Sequence, residues 1–195
     1  MEQVRAQSSQ VQQPDIREVN KSEVSDLTPA QIRESIQWLV AKDQVEEAHK
    51  FVKKSLVLFP DNEEVLAIGS LVSVVRQDWQ EAVLLLKNLY LIQGDRTAAL
   101  TYQLHIRALR CNFQLDQALD MAKNGLCRFP ENLEIVEDCA VLAEQLQDWK
   151  TAVVAIGILI DIKGPQNTED LQIRLKISQD MLDKQNTEKK QKNSL

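Results

Sequence analysis

The side chains best equipped for chemistry in this chain are two histidines, three cysteines and a scatter of carboxylates and arginines. A metal site needs His, Cys or carboxylate ligands at set spacings, and Cys111, Cys127, Cys139, His49 and His105 follow none of them. No phosphate-binding glycine loop, nucleophile elbow or His-Glu-x-x-His is present. Glu46-Glu47 and Glu63-Glu64 stand at the starts of periodic apolar segments, where a helix dipole accounts for them without acid–base work. His105 reads as a core histidine, His49 as a surface one, and Trp38, Trp79 and Trp149 as packing residues. The chain is expected to be no enzyme and to use no cofactor or metal. What remains is recognition chemistry. Arg107 and Arg110 can grip a partner's carboxylate, or pair with Glu137 and Asp138 nearby. Ile68, Leu71 and Val75 can receive a partner's apolar anchors, or pack on a neighbouring part of the chain.

These residues need elements to position them, and an internal repeat supplies the plan. Laid on itself in a single register, the chain matches Phe59-Pro60-Asp61-Asn62 with Phe129-Pro130-Glu131-Asn132, and Gln77-Asp78-Trp79 with Gln147-Asp148-Trp149. Gly94 falls on Gly164 in the same register, and about a third of positions 59–94 are identical to their counterparts. Helical periodicity divides this long repeat into two units of roughly 35 residues. Asp61 or Asn62 caps a helix carrying Val65, Leu66, Ile68, Leu71, Val72 and Val75. After a Gln77-Asp78 break, a second helix carries Trp79, Ala82, Val83, Leu86, Leu89 and Tyr90. Earlier, Thr28-Pro29-Ala30-Gln31 offers a cap, a proline at the first helical position and a capping-box Gln. Two more hairpins follow the same template around Tyr102–Phe129 and Asn132–Lys163.

This pattern resembles the tetratricopeptide repeat. Ala48, Ala82, Ala118 and Ala152 sit at the small position of each second helix, and Gly69-Ser70 and Cys139-Ala140 at that of two first helices. Asp78-Trp79 and Asp148-Trp149 match its acidic–aromatic turn, and Pro60 and Pro130 its closing proline. The resemblance implies an all-α, right-handed superhelical solenoid of about four helix-turn-helix repeats with a C-terminal capping helix. Expected boundaries are a polar tail over 1–26, the repeat domain over 27–166, the capping helix over 167–184 with Leu171, Leu175 and Leu182 on one face, and a second tail over 185–195. It also implies that the first helices line a concave groove for a peptide or helix. Ile68, Leu71 and Val75 would form its apolar middle, Arg107 and Arg110 a basic step, and Glu137 and Asp138 an acidic end.

Composition agrees with helices. The 195 residues are 44% hydrophobic, with only 5 Gly and 5 Pro, too few turn signals for a many-stranded β fold. A formal net charge of -6 argues against a nucleic-acid partner, which normally meets a basic surface. No apolar run approaches the roughly 18 residues that would span a membrane. An odd set of three cysteines and a polar N-terminus lacking a secretory signal fit a reducing cytoplasm. The expected function is an adaptor or chaperone binding a protein, analogous in size and charge to bacterial type III secretion chaperones. The alternative is a structural subunit docking through its convex face or ends. Oligomeric state is not legible from the sequence.

Overall fold

The computed structural model describes residues 24–164 and 168–192, so most of the expected N-terminal tail and the last three residues lie outside it. A 3-10 turn at Val24–Asp26 leads into four helical hairpins. These are α1 (Pro29–Ala41) with α2 (Val45–Leu58), α3 (Glu63–Val75) with α4 (Trp79–Gln93), α5 (Ala99–Cys111) with α6 (Leu115–Arg128), and α7 (Leu133–Gln145) with α8 (Trp149–Lys163). A further helix, α9 (Glu169–Lys192), packs on α8. The described chain is an all-α solenoid with no strand.

A side-chain cap sets five of the eight hairpin helix starts, those of α1, α3, α4, α7 and α8. Thr28 and Gln31 exchange the two bonds of a capping box: the Thr28 amide donates to Gln31 Oε1 at 2.9 Å, and the Gln31 amide to Thr28 Oγ1 at 3.4 Å. Asn62 Oδ1 accepts from the Glu64 and Val65 amides, and Asn132 Oδ1 from that of Ile135. Asp78 and Asp148 do the same for α4 and α8.

The hairpin turns are equally regular. Asp43, Gln77, Phe113 and Gln147, one in each hairpin, adopt left-handed φ of 59, 59, 58 and 60°. The amide after each reaches back to a carbonyl of the preceding helix, as Gln44 to Leu39 and Asp148 to Ala143. This is the Schellman ending, so the tight turns are made without glycine or proline. The step from the second hairpin to the third holds the 3-10 turn Gly94–Arg96.

Packing follows from the small side chains. Ala48, Ala82, Ala118 and Ala152 are fully buried at the helix crossings. A Cβ on Gly69 would meet Val52 Cγ1 at 3.0 Å and Leu85 Cδ1 at 3.4 Å, so α2 and α4 both close on α3 at that point. Among the described residues the core runs the length of the array as three clusters, seated around Ile32/Ile36/Val52, Leu66/Leu86/Leu89 and Tyr102/Ile135/Ile156.

Two expectations are corrected. Ile68 does not face the groove: it is 4% exposed, in the first cluster with Ile32, Ile36 and Val72. Its position on α3 meets α1, so apolar character there serves stacking. The terminal helix does not close near 184 but continues to Lys192. Residues 184–192 contain no glycine or proline and are rich in Lys, Gln and Glu, which extend a helix readily. Gln185 Nε2 also donates to the Gln147 carbonyl in the α7–α8 turn, holding this extension to the array.

Candidate partner-binding groove

The first helices α1, α3, α5 and α7 follow one another in a row, and α9 takes the next place, tied to α7 through Arg174. Successive first helices therefore present equivalent residues to one surface. The ninth residue of each is Gln37, Leu71, Arg107, Val141 and Ile177. Of the anticipated apolar middle, Leu71 is 37% and Val75 52% exposed, and both remain on this surface while Ile68 leaves it.

Between α5 and α7 the surface sinks into an open depression of about 720 Å³. Its walls bring together Leu100, Leu104, Phe113, Arg107, Arg110 and Asp138. Arg110 hydrogen-bonds and ion-pairs with Asp138 across the two helices. Burial pushes the Asp138 carboxyl above its ordinary value, with Arg110 opposing the shift. This arginine is thus committed to joining units. Arg107 is different: it is exposed and makes no ion pair among the described residues. Glu137 is committed too, accepting from Arg174 Nη1 of α9 at 2.9 Å. Arg174 also clasps Glu144 at 2.7 Å, and that bond raises its guanidinium pKa. A second depression of about 740 Å³ adjoins the first through Gln103 and Glu134 and ends on Asp170 and Arg174.

Of the pairings anticipated for Arg107 and Arg110, Arg110–Asp138 alone forms among the described residues, while Glu137 pairs with Arg174 instead; Leu100, Leu104 and Phe113, in the same depression, are not anticipated by the sequence. Phe113 carries a signal: it is the apolar member of a set of turn residues otherwise filled by Asp43, Gln77 and Gln147. It is 90% exposed on a strained left-handed backbone, an arrangement with nothing to recommend it for folding. The joining of α9 to α7 escapes a sequence reading because Arg174 reaches back past the whole of α8 to carboxylates on α7.

The remaining chemical candidates are structural in place. His105 is buried against Tyr90, and burial holds its imidazole pKa down at about 4. Burial pushes the Cys139 thiol up to about 11, so it stays protonated and unreactive. His49 is half-buried and approaches Glu81, which also accepts from Lys53 and Ser73. Among the described residues no three His, Cys, Asp or Glu side chains are grouped to hold a metal. No described helix is long and apolar enough to cross a membrane.

No protein-family profile matches the chain, and no curated protein matches it in sequence. Solved structures do. YrrB, described as a TPR protein with an unusual peptide-binding site, superposes with a TM-score of 0.64 at 14% identity, covering 75% of this chain and 74% of that one. MamA from Desulfovibrio magneticus gives 0.62 at 13%, covering 80% and 92%. A chain of the APC/C hetero-tetramer Cut9-Hcn1 gives 0.57 at 17%, covering 78% of this chain and 30% of that one.

Proposed function

From the tetratricopeptide-like fold these likenesses establish, we propose that this protein is a non-catalytic binding module, an adaptor or chaperone, that takes a partner's peptide or helix in the groove along its first helices. The observation that carries the reading is the guanidinium of Arg107, without an ion pair among the described residues, beside half-buried Leu104 and exposed Leu100 and Phe113. An aliphatic anchor seated among these side chains gains from apolar burial, and a carboxylate near it gains a charge-assisted bond to Arg107. YrrB supports the reading, since a repeat protein of similar fold carries a peptide-binding site. Free thiols at Cys111, Cys127 and Cys139 fit a cytoplasmic setting.

The test is selection of a random peptide display library against the whole protein. Enriched peptides are expected to share an acidic residue close to an aliphatic or aromatic one. They should lose about tenfold or more in affinity to Arg107→Glu, since a charge-assisted bond becomes a repulsion. Phe113→Gly should weaken the same peptides while stabilising the fold by about 1 kcal/mol, because glycine relieves the left-handed backbone. A library that enriches no motif, or a motif indifferent to both variants, removes the groove as the binding site.

A second reading, an assembly subunit docking through its outer wall, rests on Leu84 and Leu91 of α4 and Val154 of α8. These are 58, 66 and 52% exposed on the second helices.

A further inference from the structure

Among the described residues the last helix of the array carries an unfilled stacking position. The fifth residue of each first helix is Arg33, Ala67, Gln103, Glu137 and, in α9, Ile173. In the preceding units this residue engages the following first helix. Arg33 pairs with Glu64 at 3.4 Å, Gln103 donates to Asn132 at 3.2 Å, and Glu137 accepts from Arg174. Ala67 shares the middle cluster with Leu104. Among the described residues no further unit follows Ile173. It is 59% exposed, and Ile177, one turn on, is 54% exposed. The opposite face of α9 is fully used, with Leu171, Leu175 and Ser178 set against the array.

We infer that this face is covered by α9 of a second copy, packed antiparallel about a two-fold axis passing Ile177. The occupant should be a helix, because a helix fills this place at every earlier step of the array. Charge selects both the copy and the register. Exposed Asp170 and Lys184 lie seven residues to either side of Ile177, on the isoleucine face, and neither has an ion pair among the described residues. With Ile177 on its own symmetry mate, Ile173 meets Met181 of the second copy. Asp170 of each chain then meets Lys184 of the other. Sliding the pair to place Ile173 on Ile177 would set Asp170 against Asp180, a like-charge contact. The interface is isologous and closes at two copies. A single helix pair is a small interface, so the dimer belongs to the weak, concentration-dependent class.

Sedimentation velocity on the full chain, from about 5 to 500 μM, tests this. The weight-average mass should rise from 22.2 kDa toward twice that value. Ile177→Asp should stay monomeric with unchanged helical circular dichroism, since the site is exposed. Asp170→Lys and Lys184→Asp should each weaken association about tenfold. The double exchange Asp170→Lys with Lys184→Asp should return it to within about threefold of wild type, because the charges are merely traded. A wild-type monomer at every concentration, a dimer insensitive to Ile177→Asp, or a double exchange no better than its singles overturns the proposal.

Discussion

His105 shows how a residue suited to chemistry is spent on packing. It lies 4% exposed beside Tyr90, with its Nδ1 unbonded, and burial followed by the nearby Lys87 charge holds its imidazole pKa at about 4. In the unfolded chain the same group titrates near 6.5. Below that pH the unfolded state binds a proton that the folded state refuses. The neutral imidazole's contribution is therefore complete above about 6.5 and drains away down to about 4, amounting to about 3 kcal/mol. His105→Leu should flatten urea-unfolding stability across that window relative to wild type, and parallel pH profiles would refute the assignment. The register of the repeat alone places this histidine in the core. Ile68 and Leu71 show the limit of such reasoning. One helical turn apart and both apolar, they are 4 and 37% exposed, and what separates them is the position of α1, contributed by the preceding hairpin.

The capped helices α1, α3, α4, α7 and α8 are specified at their starts by side chains, and the helix crossings by small residues. Two glycines on second helices make the distinction measurable. Gly125 in α6 faces the stack, where a Cβ would lie 3.0 Å from Ile135 Cγ2 and 3.1 Å from the Tyr102 ring. Gly157 in α8 faces open space, with nothing near the Cβ position. Gly125→Ala should destabilise the protein by about 1–3 kcal/mol through overpacking against α5 and α7. Gly157→Ala should stabilise it by about 0.5–1 kcal/mol, because only the helix propensity changes. Thermal melts of the pair should move in opposite directions; a shared direction would mean that α6 and α8 do not pack as described. The sequence marks both positions simply as glycine within a helix, and the neighbouring unit decides the sign.

Across the whole molecule, stability is a chain of neighbour contacts, and α9 closes it. Leu171 is 5% exposed in the C-terminal cluster, Leu175 packs beside it, and Arg174 ties Glu137 and Glu144 of α7. A chain ending at Lys163 should lose about 3–6 kcal/mol, the burial of two leucines before any charge effect. It should also bind a dye for exposed apolar surface. Amide exchange should speed in α7 and α8 while α1 and α2 keep their protection, because each unit touches only its neighbours. Uniform loss across all helices would contradict that description. The sequence by itself determined the number of hairpins, their turns and most of their caps, since these depend on residues close to one another along the chain. Thr28, Asn62, Asp78, Asn132 and Asp148 all act where the sequence put them. Tertiary structure alone decided that Ile68 is core, that Arg110 is committed while Arg107 is available, and that Arg174 ties α9 to α7. Those outcomes depend on the angle at which each hairpin stacks on the last, an angle set by side chains from three helices at once and carried by no single segment.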